Sequence, residues 1–177
     1  MSNLHLKLFF VLVLVLTLSQ SPTTNATGTE LIQNTCKKTT YNKLCVRYLE
    51  TNKESYNADV AGLARIILEK ALSTAKNLWS QTSDMLKKTT NEYKLKSVCF
   101  NTCHEQYGDT VDKIMVAIQA VEAHDYNLAK LYAGYGSNAA KICQEEFEKI
   151  NQKSPLFKRN KNLIRLSTIA VELVSLL

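Results

Sequence analysis

Asp59 to Met85 reads DVAGLARIILEKALSTAKNLWSQTSDM, and the spacing of its apolar residues decides the fold. Val60, Leu63, Ala64, Ile67, Leu68, Ala71, Leu72, Ala75, Leu78, Trp79 and Met85 form one series at helical intervals. In a helix of about 3.6 residues per turn, that spacing draws a single apolar stripe along one side for roughly seven turns. A strand would need alternation at every second residue, which this run lacks. Asp59 is the predicted N-cap, because its carboxylate can accept a hydrogen bond from a backbone N–H that the first turn leaves unpaired. A helix this long with one greasy side needs the rest of the chain to cover that side.

Three further stripes supply the cover. One runs through Cys103, Tyr107, Val111, Ile114, Ile118 and Val121; the next through Leu128, Leu131, Tyr132, Tyr135, Ala139, Ile142, Cys143 and Phe147. The last uses Leu163, Leu166, Ile169, Ala170, Leu173 and Leu177. Its stretch LIRLSTIAVELVSLL is broken by Arg165 and Glu172 on a polar face, which makes it a core helix and not a membrane tail. The breaks fall near Lys87–Asn91, His124–Asn127 and Asn151–Lys161, the last holding Pro155, and all are short and polar. Short links between long amphipathic helices predict antiparallel neighbours, hence an all-α, up-down-up-down four-helix bundle over residues 59–177. Only five glycines and two prolines punctuate the chain, in keeping with helices rather than a sheet. Ahead of the bundle, at residues 27–58, two shorter pieces (Glu30 to Lys38 and Asn42 to Thr51) meet at Thr39–Tyr41 as a helical hairpin.

The N-terminus sets the compartment. Lys7 is the only formal charge before Glu30, and Leu8 to Leu18 is an almost unbroken apolar run. A basic start, a short apolar core and a small-residue exit predict a secretory signal peptide over residues 1–26, cleaved after Ala26 or after Ser19. The run falls short of the roughly 20 apolar residues that span a bilayer, so no membrane anchor is expected after its removal. The sequon Asn25-Ala26-Thr27 survives only the earlier cut. Loss of Lys7 lowers the net charge of +6 by one, leaving a basic domain of about 150 residues that favours acidic surroundings, including weak association with acidic polysaccharide.

All five cysteines lie beyond the leader, and export makes disulfides their first reading. Cys36 and Cys45 flank the hairpin turn, where a bridge would close a unit too small to bury its own core. Cys143 must face the bundle interior or a neighbouring helix, and both Cys99 and Cys103 are candidate partners, since residues four apart share a helical face. Two staples and a spare thiol result. A metal site of Cys99, Cys103, Cys143 and His104 is disfavoured, because His104 follows Cys103 and points about 100° away around the helix. No cofactor is expected. Glu145 and Glu146 are helical neighbours that cannot face one substrate, and no base and nucleophile are paired, so no enzyme is indicated. Lys153, Lys158, Arg159, Lys161 and Arg165 form a basic cluster that reads as a solvated connection and not as a nucleic-acid site in an exported chain.

Taken in order, these residues resemble the plant invertase inhibitor and pectin methylesterase inhibitor family. The likeness is carried by Cys-Lys-x-Thr-x-Tyr at Cys36 to Tyr41, by Leu44-Cys45-Val46, and by Asp59 with Leu63 and Ala64. It continues through Cys103 and Tyr107 with Val111 and Ile114, through Cys143 and Phe147, and through Ala170 and Leu173, covering the chain beyond its leader. The resemblance implies a four-helix bundle with an N-terminal hairpin and pairs Cys36 with Cys45 and Cys103 with Cys143. Tyr107 after Cys103 is what selects Cys103, leaving Cys99 outside the pattern as a buried thiol or a route to a covalent dimer.

It also implies a non-catalytic protein that blocks a carbohydrate-active enzyme one-to-one, in the cell wall or apoplast, with the vacuole as the alternative. Invertase inhibitors carry a Pro-Lys-Phe loop between the second and third bundle helices; here Tyr126-Asn127-Leu128 stands in its place, without the lysine. The small-residue run Gly134 to Ala140 resembles the invertase branch more closely, which puts acid invertase first as target and pectin methylesterase second. A pectin-associated wall protein and a carrier with a pocket inside the bundle are the rival classes.

Overall fold

The computed structural model describes residues 23–88 and 94–177. Most of the predicted leader (residues 1–22) and part of the predicted break at Lys87–Asn91 (residues 89–91) lie outside the described residues. Among the described residues, seven α-helices follow in order: α1 (Thr23–Cys36), α2 (Asn42–Glu50), α3 (Val60–Lys88), α4 (Lys94–Glu122), α5 (Tyr126–Ala133), α6 (Tyr135–Lys149) and α7 (Phe157–Val174). A 3₁₀ turn, Lys53–Asn57, links α2 to α3. No strand occurs among the described residues.

α3, α4, the α5–α6 arm and α7 form the four-helix bundle. α3 lies between α4 and α7, and α6 closes the ring by packing on both α4 and α7. The core runs down the shared axis through Leu63, Ile67, Leu78, Tyr107, Ile114, Phe147, Leu163 and Leu166, all essentially without solvent contact. Asp59 caps α3 as expected, its Oδ1 accepting from the Gly62 N–H at 2.8 Å.

Two connections turn by the same device. His124 (φ 60°) and Asn151 (φ 54°) occupy the left-handed region just past α4 and α6. At the first, the His124 N–H donates to the Val121 carbonyl at 3.1 Å and the Asp125 N–H to the Ala120 carbonyl at 2.8 Å. At the second, the Asn151 and Gln152 N–H groups reach the Glu148 and Phe147 carbonyls, each at 2.9 Å. These paired bonds are Schellman caps, which satisfy carbonyls that the last helical turn would otherwise leave free.

The hairpin of α1 and α2 is closed by the Cys36–Cys45 disulfide and fastened to the bundle at several points. Gly28 lets α1 press on the 3₁₀ turn, since a Cβ there would collide with the Tyr56 carbonyl. Thr40 donates from its backbone N–H (3.0 Å) and from its hydroxyl (2.5 Å) to the Glu172 carboxylate on α7. Tyr48 donates to Asn162 Oδ1 at 3.0 Å, and the Arg165 guanidinium lies 5.6 Å from the Tyr41 ring centre. Arg65 of α3 ties back to Glu54 of the 3₁₀ turn at 3.2 Å and to Glu69 of its own helix.

The structure corrects the sequence reading of the third arm and of four core positions. That arm is two helices interrupted at Gly134, a residue that weakens a helix interior by lacking a side chain to restrict its backbone. Leu131 (62% exposed), Tyr135 (38%), Trp79 (43%) and Leu177 (42%) face outward, although all four fall on the apolar stripes. In the third arm the cause is close packing by small residues. Ala129, Ala133, Gly136, Ala140 and Cys143 recur at four- and three-residue spacing and fill the core-facing side instead. At Gly136 the approach is closest: a Cβ would collide with Ser167 Oγ and come within 3.0 Å of Leu163 Cδ1 on α7.

Candidate functional site

The three residues at the predicted loop position lie in a helix. Asp125 caps α5, its Oδ1 accepting from the Leu128 N–H at 3.0 Å, so Tyr126, Asn127 and Leu128 form the first turn and only residues 123–125 connect α4 to α5. The Tyr126 ring is half-buried and meets the His124 ring edge-on, with centroids 5.9 Å apart. Leu128 is half-buried against the core, and of the three only Asn127 is exposed. Tyr126 and Asn127 can touch a partner, while Leu128 mainly anchors the turn.

Further along the arm the surface turns aromatic. Tyr132 and Tyr135 stand with ring centres 5.5 Å apart, flanking the break at Gly134. The Lys113 ammonium of α4 lies 5.3 Å from the first centroid and 5.9 Å from the second. That geometry fixes two amphipathic rings and one cation on the surface and restricts their side-chain motion. Leu131, four residues after Asn127, adds an exposed apolar side chain on the same side of α5. Sequence reasoning missed Leu131, Tyr135 and Trp79 because it assigned the large apolar residues at stripe spacing to the core. The small-residue heptad spacing of the third arm was the signal for the first two.

The cysteines divide as two pairs and one thiol. Cys103 and Cys143 are bridged across α4 and α6, their Cα atoms 4.7 Å apart. Cys99, one turn earlier on α4, is 2% exposed and donates its S–H to the Glu146 carbonyl at 3.3 Å. Burial, then the neighbouring Glu146 carboxylate, pushes its pKa up and keeps it neutral. A covalent dimer through Cys99 would require local opening. His104 turns away from the sulfurs toward α3, donating or accepting at Trp79 and Thr82.

The basic cluster is not one patch. Arg159 bonds Gln81 at 2.5 Å, Arg165 stacks near Tyr41, and the Lys153 ammonium sits 4.5 Å from the Phe157 ring centre. Among the described residues, no helix is long and apolar enough to cross a membrane.

A stapled helical bundle that displays ordered aromatic side chains beside fixed charges is built as a protein-binding module. Its family follows from comparison with known proteins. The model of the plant invertase/pectin methylesterase inhibitor family matches residues 30–173, and the chain belongs to that family. Over 150 residues it is 33% identical to a pectinesterase inhibitor of Actinidia deliciosa, covering 83% of this chain and 78% of the relative. It is 29% identical over 145 residues to a cell wall / vacuolar inhibitor of fructosidase 2 of Arabidopsis thaliana, covering 81% of this chain and 80% of the relative. The fold is similar to that of a mutant form of a pectin methylesterase inhibitor from Arabidopsis, with a TM-score of 0.68 at 15% identity, over 80% of this chain and 93% of the other. The chain is an inhibitor of a plant enzyme and not an enzyme itself.

Proposed function

We propose that this chain is exported to the cell wall and inhibits pectin methylesterase, binding one-to-one through the helical faces around α4 and covering the enzyme's substrate cleft. The observation that carries this reading is the first turn of α5. Where invertase inhibitors carry a Pro-Lys-Phe loop, this chain has a capped helix without the lysine, and its exposed aromatic residues lie on helix faces. The sequence alone put acid invertase first; the helical turn supports the opposite order. Similarity to a pectinesterase inhibitor agrees with it.

Acid invertase remains the second reading, favoured by the exposed Asn127 and half-exposed Tyr126 at one end of the bundle and by the fructosidase-inhibitor relative. Invertase as target would also admit the vacuole. A standard interface of about 1,600 Å² is within reach of two neighbouring helices and their connection. The test is a titration of purified plant pectin methylesterase and of acid invertase, at mildly acidic pH, with protein made in an oxidising host. Saturating loss of esterase activity alone is expected. Loss of invertase activity alone would overturn the order, and loss of neither would overturn the inhibitor reading.

A further inference from the structure

The helical hairpin and α3 enclose two open clefts that meet at Thr51. The first, about 550 Å³, runs between α1 and α2 and is lined by Lys37, Lys43 and Arg47. The second, about 610 Å³, lies between α2, the 3₁₀ turn and α3 and adds Lys53 and Lys70. These cations are all exposed, and none takes part in an ion pair among the described residues. The acidic residues of the same walls are mostly engaged elsewhere. Arg65 binds both Glu54 and Glu69, which leaves Glu50 as the one carboxylate of the clefts outside any ion pair among the described residues.

The amides between the cations add donors. Asn42 Oδ1 accepts from the Lys43 N–H at 2.6 Å and Asn52 Oδ1 from the Glu54 N–H at 3.0 Å, so each side chain keeps its amide N–H groups for a ligand. Tyr48 joins the two clefts. Its hydroxyl donates to Asn162, and its ring centre lies 5.9 Å from the Arg47 guanidinium and 5.5 Å from the Lys70 ammonium. Cations from α2 and α3 are thereby held near one point. Val46 and Ile66 give the two clefts an apolar patch each. Cations, free N–H donors and apolar patches along one groove suit a ligand that carries anionic oxygens on carbon rings.

We propose that this groove binds an acidic polysaccharide, a chain of sugar rings that bear carboxylates. The cations pair with the carboxylates, Asn42 and Asn52 donate to ring and hydroxyl oxygens, and Glu50 accepts from sugar hydroxyls. Glu50 also opposes a denser run of phosphates. Nucleic-acid bases need an exposed ring to stack on, and the Tyr48 ring already faces two cations. A lipid surface needs large exposed apolar side chains, and those of the described residues lie outside the clefts.

No lining residue of the groove belongs to α4 or to the α5–α6 arm, so a polysaccharide seated here leaves the proposed enzyme-binding side free. One molecule can then hold polymer and enzyme together. With pectin methylesterase as the target, this has a direction. Ester hydrolysis consumes water and turns each methyl ester into a carboxylate, a proton and methanol, so the enzyme makes the groups that the groove binds. The inhibitor gathers where the enzyme has worked. That consequence rests on the esterase reading above; polysaccharide binding does not, and binding alone is what the experiment reads.

The test is affinity electrophoresis of the full disulfide-bridged protein through gels containing polygalacturonate or its fully methyl-esterified, uncharged counterpart. The parent is expected to bind the acid form at least about tenfold more tightly than the ester, and to be released as salt rises. Lys43→Gln with Arg47→Gln and Lys70→Gln should weaken binding about tenfold or more, with helicity unchanged. Lys37→Gln with Lys43→Gln, which leaves the Tyr48 contacts intact, should weaken it about threefold or more. Lys153→Gln with Lys158→Gln and Lys161→Gln removes as much charge as the triple groove variant, but from the last connection, and should cost less than about threefold. Equal loss in the two triple variants would reduce binding to net charge and overturn the groove. Equal binding of acid and ester would overturn carboxylate recognition. Tighter binding to phosphatidylserine vesicles than to polygalacturonate would assign the surface to a membrane instead. If the parent binds no polygalacturonate, the proposal falls while the inhibitor reading stands.

Discussion

Single residues carry the bundle's least compensated polar chemistry. The Tyr107 hydroxyl, deep in the core, donates to Asn160 Oδ1 at 2.5 Å, while Asn160 Nδ2 is buried without a partner. Burial pushes the Tyr107 pKa far up, against the opposing effect of the Asn160 bond. A folded-state value above the unfolded one of about 10 means the native chain holds a proton that the unfolded chain releases. The stability this contributes is present below about pH 10 and is lost as pH climbs above it. Tyr107→Phe should cost about 1–3 kcal/mol near neutrality, because it leaves the Asn160 amide wholly unsatisfied. It should also remove part of the alkaline loss, and urea unfolding near neutrality and above about pH 10 checks both. Cys99 answers to a different probe. Buried and neutral, it is expected to resist iodoacetamide in the native protein and to react on unfolding, as mass spectrometry of the alkylated chain would show.

Among the helices, the α5–α6 arm is where packing overrode size. Its core side is lined by Ala129, Ala133, Gly136 and Ala140, which allow α7 to come close, and its larger side chains are displaced toward the surface. Gly136→Ala tests this directly. Helix propensity favours alanine by about 1 kcal/mol, but the new methyl meets Ser167 and Leu163. Net destabilisation of about 1–3 kcal/mol is expected by thermal unfolding, since overpacking outweighs the propensity gain. The outward face of the same arm belongs to function. Tyr126→Ala with Asn127→Ala should weaken an invertase complex if that is the target and leave helicity intact, because Leu128 and the Asp125 cap remain to hold the turn. A pectin methylesterase complex should change less, and inhibition assays on the double variant distinguish the two.

At the scale of the whole molecule, the Cys103–Cys143 bridge joins two arms of the bundle across 40 residues of sequence. In the chain-entropy description such a loop stabilises by about 4 kcal/mol, so replacing both cysteines by serine should lower the unfolding free energy by about that amount. Denaturant titration measures it. The helical class, the number of long amphipathic segments, the Asp59 cap and the thiol chemistry were all legible in the sequence. They follow from periodicity along one chain and from the chemistry expected of its cysteines behind a predicted export leader. Periodicity left Cys99 and Cys103 equally able to face Cys143, and it placed Trp79, Leu131 and Tyr135 in the core. Those choices belong to the tertiary structure. The register of α4 against α6 brings Cys103 to Cys143, and the close contact of small residues at the α5–α6 arm decides which side of that arm faces inward. Both depend on distances between helices, which a pattern within one helix does not contain.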